Sequence, residues 1–153
     1  MLGGKKTTMP FEISLFRFKA ADVELMDPAA VSGVLQRHGI QMACEQDYVD
    51  LKDGLSIAIT TSGMAESELS EVALSFRGTS DSLHQLVFDL MLATEATALV
   101  VESRSIPLLS NRLQEADLPE ADFAPAVVCS SWEDVRKVVE QGFRKWSDWA
   151  GIG

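Results

Sequence analysis

The chain has little of what most small enzymes and metalloproteins use: two cysteines, two histidines and one tyrosine in 153 residues. The cysteines, Cys44 and Cys129, are far apart, form no C-x-x-C pair and have no neighbouring histidine, so a disulfide scaffold and a zinc site are both excluded as expectations. Both fall in strand-like runs and read as buried small hydrophobes of a reducing compartment. No H-x-H, H-E-x-x-H or D-x-D-x-D-G array occurs, and no metal or other cofactor is expected. The glycine pairs Gly3-Gly4 and Gly151 to Gly153 stand at the termini, where they cradle no phosphate. Long apolar runs are also missing. The run ALVV at 98–101 is far below the roughly 20 residues that span a bilayer. Basic residues are scarce: 13 Lys and Arg stand against 23 Asp and Glu, a formal net charge of −10. Phosphate binding depends on clustered cations, so nucleic acid is not an expected partner, nor is a membrane.

What remains is an ordinary globular composition, 46% apolar and 24% charged. A chain of this length forms one domain and buries roughly 70% of its unfolded surface without a metal or disulfide. The opening MLGGKKTTMP has lysines but no apolar core, unlike a secretory signal. Residues 1–8 read as a loose extension, 9–150 as a single domain, and the location as cytoplasmic.

Periodicity supplies the elements. FEISLFRF at 11–18 sets Phe11, Ile13 and Leu15 on one face and Phe16 and Phe18 on the other, the pattern of a central strand. Asp27-Pro28 gives an N-cap and a first-turn proline for a helix over 28–38, stopped by Gly39, with His38 at its carbonyl end as a capping residue. Asp53-Gly54 marks a hairpin between residues 42–51 and Leu55, Ile57 and Ile59. EVALSF at 71–76 is a further strand. Thr79 or Ser80 caps a helix with Leu83, Leu86, Val87, Leu90 and Met91 on one stripe, running to about 94. ATALVVES is a short buried strand, a short helix is expected around 107–116, and AVVCS is a strand. Ser131-Trp132-Glu133-Asp134 opens a helix over 131–148. The order β-α-β-β-β-α-β-(α)-β-α predicts an α+β fold: a mixed sheet of about five to six strands with three main helices packed on it.

The stretch VALSFRGTSDSLHQLVFDL at 72–90 resembles the F-R-G-T strand-turn-helix of the class 3 lipases. Those enzymes carry their nucleophile on a G-x-S-x-G elbow, which occurs nowhere in this chain. Ser80 and His84 lie one helical turn apart, but Asp89 points about 140° away from His84, and no triad forms on such a helix. His84 and Asp89 are expected to face solvent, and the F-R-G-T likeness is read as coincidental. No catalytic residue is assigned.

Seven acids, Glu45, Asp47, Asp50, Asp53, Glu66, Glu68 and Glu71, fall in a stretch with one lysine, Lys52. Glu115, Asp117, Glu120 and Asp122 form a second group. The first group predicts a negative field suited to a basic protein partner. Near the C-terminus, Trp146 belongs to the core if the helix docks, and an exposed Trp149 is a candidate contact residue.

The pattern as a whole resembles a set of small acidic bacterial α/β proteins. They share an F-x-I-x-L-x-x-F opening strand (FEISLFRF), a central amphipathic helix before a short apolar strand, and an L-P, V-V and W/D-x-L/V ending, here Leu118-Pro119, AVVCS and WEDVRKVVE. Some proteins of this kind are immunity proteins, which bind and block a toxin made by the same cell. The resemblance implies a non-enzymatic binding protein that occludes the active site of a basic toxin domain, and it carries no catalytic residues across. Two other classes remain open: a small hydrolase or transferase using carboxylates or the Ser80/His84 pair, and a homo-oligomeric adaptor with Trp149 at its contact.

Overall fold

The alternation in FEISLFRFK makes β1 (Phe11–Lys19) the middle of the sheet. In this computed structural model, which describes residues 11–101 and 104–150 apart from the side chains of 149 and 150, β1 pairs antiparallel with β5 (Glu71–Phe76) on one side and β6 (Thr97–Val100) on the other. Outward from β5 lie β4 (Ser56–Ser62) and β3 (Gln46–Asp50). Outward from β6 lie β7 (Ile106–Leu109) and β8 (Val127–Val128). All of these neighbours are antiparallel except β7 and β8. The short β2 (Asp22–Glu24) folds back on the far end of β1. The fold is α+β, as the sequence predicts, with eight strands among the described residues where about five to six were expected.

Three helices, α1 (Pro28–Arg37), α2 (Asp81–Thr94) and α3 (Trp132–Ala150), cover one face of this sheet. α2 packs between the other two. A helix flanked on both sides buries more than one stripe, and α2 buries Leu83, His84, Leu86, Val87, Leu90, Met91 and Thr94. Phe11, Ile13 and Leu15 meet this layer, with the Phe11 ring against Phe143 and Trp146 of α3. Trp146 thus joins the core cluster as a partly buried residue. Among the described residues no helix is long and apolar enough to cross a membrane.

The caps follow local chemistry. Asp27 accepts from the Ala29 N–H at 3.0 Å and starts α1 on Pro28. Ser80 accepts from the Leu83 N–H and starts α2. Asp134, one turn into α3, accepts from both the N–H and the hydroxyl of Ser130.

Four expectations are corrected and one element is added. The segment expected to be a helix around 107–116 is a strand, β7, followed by a 3-10 turn at Arg112–Asp117. Chain returning along β6 finds open backbone there, and Ile106, Pro107 and Leu108 pair with Val100, Leu99 and Ala98. The added element is β2, a strand the sequence reading does not anticipate. Second, His84 does not face solvent: it is fully buried, because α3 closes over that side of α2. Third, Asp89 is not a free solvated residue. Its carboxylate lies 2.7 Å from Nε2 of His38, so the histidine that ends α1 is tied to α2. Fourth, Cys44 is exposed in the irregular approach to β3, whereas Cys129 is buried.

The second face of the sheet is divided. Ser110 to Ala126 runs beside the half formed by β1, β6 and β7, where Ser14, Thr97, Pro107 and Leu109 are buried. Gln114 donates to the Glu95 carbonyl at 3.1 Å, and Ala124 donates to the Ser105 carbonyl at 2.9 Å. The half formed by β3, β4 and β5 has no such cover among the described residues.

Candidate partner-binding surface

The uncovered half-sheet follows from strand alternation. Val49, Ile57, Ile59, Val72, Leu74 and Phe76 point into the core, so the residues between them point out. In register across the three strands and into β1 lie Tyr48, Ala58, Ser75 and Glu12, and beside them Gln46, Thr60, Ala73 and Ser14. The floor is therefore mostly small side chains, with one aromatic side chain at its rim. Tyr48, the single tyrosine, is 80% exposed. It borders a shallow hollow of about 400 Å³ that Ser56, Ser75 and Arg77 also line. Asp50 and Glu71 belong to the same face, opposite Ser56 and Ser62 respectively.

Of the seven acids, four are engaged as hydrogen-bond acceptors. Glu45 accepts through Oε1 from the N–H groups of Gly63 (2.8 Å) and Met64 (3.1 Å), fastening the turn after β4. Asp47 accepts from Ala43 and Tyr48 N–H, both at 2.9 Å. Its carboxylate thereby occupies the Tyr48 donor on an edge strand that would otherwise invite another strand. Asp50 takes the Ser56 hydroxyl. Asp53 takes the Ser80 hydroxyl and the Ser82 N–H, each at 3.0 Å, and so braces the start of α2. Burial pulls the Asp53 carboxyl upward, but the donors Ser82, Ser80 and Leu55 together outweigh it and hold it below the ordinary carboxylate value. Glu66 and Glu68 are exposed in the connection to β5.

The structure does not gather these seven into one patch. Glu45, Glu66, Glu68 and Glu71 lie at one end of the β3–β4 hairpin; Asp50 and Asp53 lie at the other. Five residues of strand, about 17 Å, separate the ends. Tyr48 and Glu12 are the surface residues that sequence reasoning missed. The phase of QDYVD against the apolar Val49 would have put Tyr48 on the outer face. Trp149, the eighth expected contact residue, has its side chain outside the described residues. In the second acidic group, Asp117 accepts from the Ala20 N–H at 3.1 Å, Glu115 meets Arg112 at 3.3 Å and Asp122 meets Arg104 at 3.1 Å.

Catalytic alternatives are dispersed by the same geometry. The Ser80 hydroxyl is turned to Asp53, Asp89 is held by His38, and neither ring nitrogen of His84 has a hydrogen-bond partner among the described residues. The Cys129 thiol is pushed up to about 12 by burial and by the nearby Asp134 carboxylate, which keeps it a protonated, unreactive group. Cys44 lines a second hollow, about 350 Å³, with Leu35, Ile40, Met42 and Met64, and its thiol donates to the Gln46 carbonyl at 2.8 Å. No group of three or more His, Cys, Asp or Glu residues suited to a metal ion occurs among the described residues.

Comparison of the chain with protein-family models, curated proteins and solved structures finds no match.

Proposed function

We propose that this chain is a non-enzymatic binding protein of the immunity type, which neutralises a basic toxin or effector domain by covering its active site. The observation that carries the reading is the uncovered β3–β4–β5 half-sheet, with exposed Tyr48 at its rim, Asp50 and Glu71 on its face and Glu12 of β1 beside it. Small side chains leave a shallow floor that a partner can approach closely, while tyrosine supplies contact area at low conformational cost. The net charge of −10 favours a cationic partner and speeds encounter with it. The hydrogen bonds of Glu45, Asp47 and Asp53 support the frame of this surface, and Glu66, Glu68 and Glu71 supply its field. Such a protein acts by stoichiometric occupation.

Co-expression with the products of adjacent reading frames, followed by affinity capture and calorimetry, tests the proposal. A one-to-one complex with a basic domain is expected, with a dissociation constant below micromolar that weakens at least tenfold between 50 and 200 mM salt as the steering field is screened. Recovery of the chain alone at micromolar concentrations with every candidate would reject it.

A further inference from the structure

Beyond partner binding, one group inside the molecule is chemically out of place. His84 is fully buried, and both of its ring nitrogens lack a partner among the described residues. A neutral imidazole carries one donor and one acceptor, and leaving both unanswered in a packed interior opposes folding. An apolar residue would suit the site better, since the neighbouring positions of α2 are Leu83, Leu86 and Val87.

The surroundings define what a proton would do there. Four charged groups act on the ring: Glu140 and Arg136 from α3, Asp81 from its own helix, and Asp53 from the loop between β3 and β4. None is within hydrogen-bonding distance. Arg136 extends instead over the Trp132 ring at 5.2 Å and reaches 3.9 Å from Asp81, linking α3 to the start of α2. An imidazolium in this position has no acceptor for either N–H: the carboxylates of Glu140, Asp81 and Asp53 attract it and Arg136 repels it, all from beyond hydrogen-bond reach, so it gains water or a carboxylate as acceptor only if the helices move apart.

We propose that His84 is an acid-sensitive latch on the C-terminal helix: when the imidazole takes up a proton it can no longer stay buried, and α3 parts from the first turns of α2. The linkage has a definite sign. Burial, with Arg136 adding to it, holds the pKa of the folded-state imidazole below the ordinary 6.5, against the opposing pull of Glu140, Asp81 and Asp53. The open form therefore binds the proton first. The latch holds fully above about pH 6.5 and weakens as pH falls below it, until the folded-state value is passed.

Backbone amide exchange on the full chain between pH 7.5 and 5, corrected for intrinsic rates, tests this with the wild type, His84→Phe and His84→Gln. In the wild type, protection along α3 should fall by up to tenfold per pH unit below 6.5, before any comparable loss in β1 and β5. Both variants should be flat over that range. Should one variant fail to fold, the other serves, since glutamine keeps a polar side chain without titrating in this range. Flat or rising α3 protection in the wild type overturns the proposal, because rising protection would mean that the cation pairs with Glu140 inside the fold. A variant that reproduces the wild-type fall overturns it as well.

Discussion

At the scale of single residues, an acid in a strand or turn does one of two jobs here, and its donors tell which. Asp53 is solvent-exposed but holds a hydroxyl and a backbone N–H at the start of α2. Asp53→Ala should cost about 1 kcal/mol in urea unfolding, the magnitude of a lost helix cap. Because its folded pKa is depressed, this contribution is present above the ordinary 3.8 and fades as pH drops through the folded value. Glu66→Gln, in an exposed turn, should leave unfolding unchanged within about 0.5 kcal/mol. The two thiols should separate in the same way. A thiol-specific reagent on the native protein should modify Cys44 quickly and Cys129 only on unfolding, since burial holds the Cys129 thiol protonated. Two equally fast thiols would contradict the packing described.

At the scale of elements, legibility depended on whether the local chemistry carried a recognised signature. α1, α2 and β5 were readable because Asp27-Pro28, Ser80 and the alternation in EVALSF each encode a boundary or a face. The β1–β2 turn was not readable. Ala20 and Ala21 both adopt positive φ, 50° and 70°, a geometry normally marked by Asn-Gly. Here a distant residue enforces it: the Asp117 side chain and carbonyl accept from the Ala20 and Ala21 N–H groups. Ala21→Gly should therefore stabilise the protein by about 1 kcal/mol in thermal or urea unfolding. β7 was hidden by Pro107, which pairs with Leu99 of β6 while pairing to β8 starts only at Leu108. The opposite sensitivity lies after β4. Gly63 has φ 87°, and a Cβ there would come within 2.2 Å of the Glu68 carbonyl oxygen. Gly63→Ala should cost on the order of 2 kcal/mol.

At the scale of the whole molecule, the sequence conveyed the charge but not its arrangement. Composition predicts an acidic surface; only the strand register separates Glu45, Glu66, Glu68 and Glu71 from Asp50 and Asp53 and sets Tyr48 above the half-sheet between them. Neither His84 nor Asp89 could be placed from helical spacing, because a single helix does not announce that two others will flank it. The molecule is thus asymmetric: helices on one face, Ser110 to Ala126 beside half of the other, and β3, β4 and β5 left open among the described residues. That open half is the proposed docking surface. The measurement that reaches it most directly is calorimetric titration of the captured basic partner into wild-type protein and Tyr48→Ala, with far-UV circular dichroism confirming that both are folded. Loss of this large exposed aromatic contact should weaken binding by about 2 kcal/mol, roughly 30-fold. Unchanged affinity for the folded Tyr48→Ala protein would mean that the partner binds elsewhere.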